Sequence, residues 1–402
     1  MFKKTVSLLL AVLILSVYAV VPVSATEVPK ISSGAAVIID ATSGQVLYDF
    51  NMNQKKYPAS ITKVMTVYLG ATLDFGKKLT ASAAAIDAVP RDTSNIALDY
   101  GEELTAKDAL HAAQLMSAND ACNVIAEAVS GSMEGFTELM NHTAEKFGAK
   151  NTHFVNSNGL HSREHYTTAY DMAVITKNAL QNEKFRKIFC SVQYTIDHTN
   201  KKTEKRNFVA KHRMVYWGQY QHLNVVGGKS GYTQEARHTL VTYGKRNGIE
   251  LIIVTLDAPD MATLYRDTEK LLEYGYESFE YQTVAAASIE PKVEGRTTYT
   301  PKEDVTFLLD KDVPLENVKY EFTPKGVVIK SPDGAELALM PVEVDTREAV
   351  IKKVFTVILW IVVILVVLFA ALFILLFINE NKKRKKRLKK REYIKSSLND
   401  QH

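Results

Sequence analysis

The 25 residues from Val354 to Ile378 carry no charged side chain. Few folds accommodate such a run. At ~1.5 Å per residue it makes a helix of about 38 Å, longer than a hydrocarbon core of roughly 30 Å. In lipid every backbone N–H and C=O must be satisfied within the segment, so a single spanning helix is the form it can take. The helix core of a soluble protein is rarely so uniformly apolar. Nine of the ten residues from Lys382 to Arg391 are basic, whereas only Arg347, Lys352 and Lys353 are basic close to the other end. The positive-inside rule then predicts a transmembrane helix at 354–378, a basic cytoplasmic tail at 379–402, and residues 26–353 on the far side of the membrane.

The amino terminus agrees. Lys3-Lys4, an apolar run from Val6 to about Val21, and small residues ending at Ala25 read as a signal peptide over 1–25. An uncleaved anchor is the alternative, and it puts the body of the chain on the same side. The net charge of +4 misleads, because residues 379–402 alone hold ten Lys/Arg against three acids. Beside a spanning helix, that tail is an orientation signal attracted to anionic lipid. No nucleic-acid partner is expected. Cys122 and Cys190, the only cysteines, read as structural, with pairing left open.

Residues 26–281 read as one mixed α/β domain. Ala35–Asp40 and Gln45–Phe50 form a predicted hairpin, and so do His238–Tyr243 and Ile249–Asp257 across Lys245-Arg246-Asn247-Gly248. A helix is expected from near Ser60 after Pro58, residues 74–190 are mostly helical in pattern, and Met261–Glu280 has the period of a helix covering one sheet face. From 282 to 345 the texture changes to short strands at Val305–Leu309, Val318–Phe322, Val327–Lys330 and Glu336–Met340, a small all-β stalk.

Three strings carry the chemistry. In Ser60-Ile61-Thr62-Lys63, positions three apart share a helix face. The apolar residues around them bury the helix, and burial disfavours a lysine's charge, so a neutral Lys63 is placed to take the Ser60 proton. Alone, this string would be a helix cap and a snorkelling lysine. Ser117-Ala118-Asn119 falls between a helix opened by a Thr105/Asp108 capping box and another starting near Asp120. Ser117 suits proton relay to a leaving amine, and Asn119 a bond to a substrate backbone. Lys229-Ser230-Gly231, preceded by Gly227-Gly228, reads as an edge strand that a peptide can pair along, with Lys229 and Ser230 toward its terminal carboxylate.

With these strings the chain resembles the penicillin-binding D-alanyl-D-alanine carboxypeptidases. The likeness extends through Asn151-Thr152-His153-Phe154, Asn158-Gly159-Leu160 and His165–Met172. It implies a β-lactamase/transpeptidase-like α/β fold, an antiparallel sheet with a helical subdomain. It implies hydrolysis of the terminal D-Ala of peptidoglycan stem pentapeptides through an acyl-Ser60 intermediate, inhibition by β-lactam antibiotics, and no cofactor or metal. It also implies an oxyanion hole from the backbone N–H groups of Ser60 and Tyr232. Two positions depart from the family: Ser230 where Thr is usual, and Ala236-Arg237 where Ala-Gly is usual.

Three other readings compete. A class A β-lactamase activates its deacylating water with a glutamate, and residues 151–160 contain no acid. His161-Ser162-Arg163-Glu164-His165 matches a zinc-protease string, but it follows Asn156-Ser157-Asn158-Gly159 without helical periodicity. A membrane-tethered receptor would need an output domain, and the tail is short and almost purely charged.

Overall fold

The computed structural model describes residues 27–399 apart from position 217, so the expected signal peptide lies outside it. The chain forms two compact units. The larger runs to Val284 and includes 305–320 and 328–339; the smaller comprises 285–304, 321–327 and 340–402.

The larger unit is built on a five-stranded antiparallel sheet. Its strands are β1 (Ala35–Asp40), β2 (Val46–Phe50), β3 (Val225–Thr233), β4 (Arg237–Arg246) and β5 (Ile249–Ala258), in the order β2-β1-β5-β4-β3. β4 and β5 join through Asn247 and Gly248, both at positive φ, the backbone that a two-residue hairpin turn requires. β1 is buried along its whole length because the sheet is covered on both faces. Val37, Ile39 and Val254 pack toward α1 (Lys63–Gly70), α3 (Asn119–Ser130) and α5 (Ala169–Leu180). Ile38, Leu240 and Ile253 pack with Leu264, Leu271 and Leu272 of α6 (Met261–Ser278). Alternate residues of each strand therefore feed different cores.

The remaining helices form the second layer. α2 (Ala106–His111) opens with the expected Thr105/Asp108 capping box, and α4 (Met133–Phe147) packs on α3. Parts of 74–190 depart from the helical expectation. Lys78–Thr80 pairs with Glu103–Thr105, while 88–102 and 151–168 are irregular, as their Pro, Ser, Asn and Gly content favours.

β6 (Phe279–Val284) pairs along its length with β7 (Val305–Asp310), so the first strand of the expected stalk lies in the larger unit. In the smaller unit Thr297–Pro301 is flanked by Lys292–Glu294 and Val342–Thr346. That unit also contains α7 (Arg347–Asn399), which runs on as helix through the basic tail. Lys and Arg are good helix formers and nothing from 379 to 399 breaks the helix. The large apolar side chains from Val354 to Ile378 are exposed, which lipid, not water, would tolerate.

Candidate active site

Three local irregularities bring the three strings together. Ser60 lies in a 3₁₀ turn, Ala59–Thr62, and α1 begins only at Lys63. In a 3₁₀ turn residues i and i+3 eclipse, which sets Lys63 directly over Ser60. α2 passes into a π-helical turn, Ala112–Met116, and Ser117 follows in the left-handed region with φ 59°. β3 is an edge strand, and Gly231 lies against the nucleophile turn. A Cβ there would stand 2.8 Å from the Ser60 nitrogen and 2.5 Å from Thr239 Oγ1. Only glycine permits that approach, which holds the Ser60 amide beside the strand just before Tyr232.

Lys63 is fully buried. Its ammonium donates to Ser60 Oγ at 3.0 Å, to Asn119 Oδ1 at 2.8 Å and to the Asn158 carbonyl. Burial lowers its pKa to about 8. Asn119 Oδ1 and Asn158 O can only accept, so both N–H bonds of a neutral Lys63 remain committed to them. The lone pair left by deprotonation then points at Ser60 Oγ.

Lys229 is also buried and donates to Ser117 Oγ at 3.0 Å and to Ser230 O at 2.8 Å. Burial, with Lys63 and Lys211 nearby, pushes its pKa well down. Lys229 sits beneath the cleft surface, behind Ser117 and Ser230, rather than on it. The cleft, about 570 Å³, has Ser60, Ser117, Ser230, Gly231, Tyr232, Lys211 and Arg213 among its lining residues. A larger open cleft of about 790 Å³ around Tyr194 and Lys107 contains none of the three strings.

Asn119 makes two side-chain contacts within the site. Its carbonyl is turned to Lys63 and its amide donates to Thr93 Oγ1 at 3.1 Å, so the side chain braces the base. Arg237 also takes a definite place. It adopts φ 53°, where a glycine would sit without strain, and its guanidinium folds back on the Asp257 carboxylate and carbonyl. The zinc-protease string lies in a loop. His165 Nε2 meets Thr62 Oγ1 at 2.8 Å and its Nδ1 accepts from Val155 N at 3.1 Å, so both ring nitrogens are engaged. Cys122 and Cys190 are free thiols.

The likeness includes Asn158, but the sequence gives no sign of its contribution, which is a backbone carbonyl. Asn123 holds that loop by accepting from Ser157 Oγ at 2.8 Å while donating to Ala85 O at 3.0 Å. Gly159, at φ 85°, presses on the nucleophile turn: a Cβ would come within 1.9 Å of Ala59 O. Gly159→Ala is expected to destabilise the protein by about 2–3 kcal/mol, through the left-handed backbone and the collision together. Thermal unfolding checks this, and an unchanged midpoint would show that the contact is slack.

Residues 22–260 match the family described as D-alanyl-D-alanine carboxypeptidase. The D-alanyl-D-alanine carboxypeptidase DacF of Bacillus subtilis is 31% identical over 332 residues, 77% of this chain and 84% of that protein. DacC of Escherichia coli, with the same enzyme name, is 32% identical over 266 residues, 64% of each chain. Among solved structures, penicillin binding protein 5 from Haemophilus influenzae superposes with a TM-score of 0.66 at 26% identity, covering 80% of this chain and 98% of that one.

Proposed function

The chain belongs to the D-alanyl-D-alanine carboxypeptidase family, serine-type penicillin-binding enzymes that remove D-alanine from peptidoglycan peptides in cell-wall remodelling, and on that premise we propose how its own residues divide the reaction. Neutral Lys63 takes the proton of Ser60 as Oγ attacks the carbonyl of the penultimate D-Ala. The N–H groups of Ser60 and Tyr232 receive the oxyanion. The C–N bond breaks as Ser117 relays to the departing D-Ala amine the proton that Lys63 took from Ser60, so that Lys63 is neutral again while the acyl group stays on Ser60. Water, activated through Lys63, then releases the shortened peptide.

The peptide pairs along the edge of β3. Its terminal carboxylate meets the Ser230 hydroxyl, with the Lys229 charge behind it and Lys211 and Arg213 adding positive field from the cleft lining. Asn119 keeps Lys63 in register. One observation carries the reading: the two buried lysines each hold a different serine, Lys63 on Ser60 and Lys229 on Ser117. β-Lactams acylate the same serine. The names of the relatives favour this carboxypeptidase over the β-lactamase and receptor readings.

The protonation states follow from the same geometry. A substrate carboxylate arriving near Lys229 favours its charged form, while burial keeps the Lys63 pKa low. The rate of Ser60 acylation should therefore rise with pH up to about 8, where Lys63 becomes neutral. A flat profile from pH 6 to 9 would mean that Lys63 is not the base.

The long apolar helix anchors the protein to a membrane. We place the catalytic unit outside the cytoplasm and the basic end of α7 inside, against anionic lipid. Protease added to intact protoplasts should degrade the catalytic unit and spare the tail; the reverse pattern would invert the topology. Release of D-Ala from a stem pentapeptide, lost in Ser60→Ala, tests the reaction itself.

A further inference from the structure

The direction of β3 fixes where the rest of a bound peptide lies, and this inference rests on the strand-pairing reading above. With the terminal carboxylate at Ser230 and the scissile carbonyl at Ser60 and Tyr232, the upstream residues continue past Thr233 toward the turn at 234–236. At ~3.3 Å per extended residue, two or three residues upstream reach roughly 7–10 Å along that line.

A separate pocket of about 380 Å³ opens there, with Lys55, Tyr57, Arg163, Tyr166 and Glu235 among its lining residues. Its charges do not cancel. Asp257, at one side, is held by both Lys56, at 2.7 Å, and Arg237, so its charge is more than matched. Glu235 stands 4.0 Å from the His161 ring nitrogen. Lys55 lies over the face of Tyr166, 4.0 Å from the ring centroid, steadied by an aromatic ring. Neither Lys55 nor Arg163 meets a carboxylate among the described residues. Tyr57 is braced edge-on by His161, with ring centroids 4.7 Å apart. The pocket thus pairs two cations with two aromatic rings, beside the path of the chain being cut.

We propose that this pocket is a subsite for an acidic residue lying two or three positions upstream of the scissile bond. Its free carboxylate is taken by Lys55 and Arg163, and its aliphatic part rests against Tyr57 and Tyr166. Arg237 contributes indirectly: by folding onto Asp257 it keeps that carboxylate from repelling the substrate's. The subsite would make the enzyme read the charge state of the stem, and so distinguish acid from amidated stems.

The test uses the full-length protein in detergent and two acylated peptides ending in D-Ala-D-Ala. They are identical except that the upstream acidic residue is a free acid in one and a primary amide in the other. At low salt the acid should be cleaved with a kcat/KM roughly five- to tenfold higher, and the preference should shrink as ionic strength rises, as exposed ion pairs do. The Lys55→Gln/Arg163→Gln double variant should cleave both peptides alike, and Lys55→Arg should keep the preference. Equal rates in the wild type, or a preference that survives the double substitution, would overturn the subsite and leave the catalytic reading standing. Failure to release D-Ala from either peptide would count against the catalytic reading itself and take this subsite with it.

Discussion

Replacing Lys63 with alanine should slow acylation of Ser60 by roughly 10²–10⁴-fold, the range for loss of a positioned general base. The effect should fall on the acylation rate constant, with substrate affinity changed far less, because the base acts in the transition state. The geometry gives the reason for so large a loss. Lys63 is the one group within hydrogen-bonding distance of Ser60 Oγ among the described side-chain contacts. Its other two acceptors, Asn119 and Asn158, have no proton-accepting role to substitute. Stopped-flow measurement of β-lactam acylation checks the prediction. A variant acylated at near-normal rate would show that another group takes the proton.

Amidating the terminal D-Ala should lower kcat/KM by about 1.5–3 kcal/mol, the worth of a hydrogen bond to a charged group. That is roughly tenfold to somewhat over a hundredfold. In the proposed binding mode the free carboxylate meets Ser230 in a positive field, and the buried source of that field beside Ser230 is Lys229. Lys229→Ala should remove most of the preference and lower activity overall, because Ser117 loses its donor as well. Were amidated and free-acid substrates cleaved equally well by the wild type, the exopeptidase reading would lose its physical basis.

The features legible in the sequence share one property: they are periodic or local. An uncharged run of 25 residues has one stable form in lipid. Asn247-Gly248 specifies its turn, Thr105 and Asp108 cap a helix through each other, and the spacing of Ser60 and Lys63 puts them on one face. What the pattern did not reveal depends on contacts between segments distant in the chain. Asn158 works through a backbone carbonyl, which any residue type supplies. Asn119 could have turned its amide either way, and Lys63, 56 positions earlier, decides it. Nothing local says where Arg237 points, and Asp257, near the end of β5, holds it. β7 follows a change of texture near 282, yet it belongs to the larger unit because β6 offers it an unpaired edge. The π-helical turn before Ser117 has no compositional mark, since Ala112-Ala113-Gln114-Leu115-Met116 reads as ordinary helix.

The central claim is that Ser60 carries the acyl group, and the direct test is to locate that group. Full-length protein incubated with penicillin, digested and sequenced by mass spectrometry should show one equivalent of adduct, on the peptide containing Ser60. Ser60→Ala should show none and should release no D-Ala. An adduct mapped to Ser117 or to any other serine, or D-Ala release that persists in Ser60→Ala, would contradict the account.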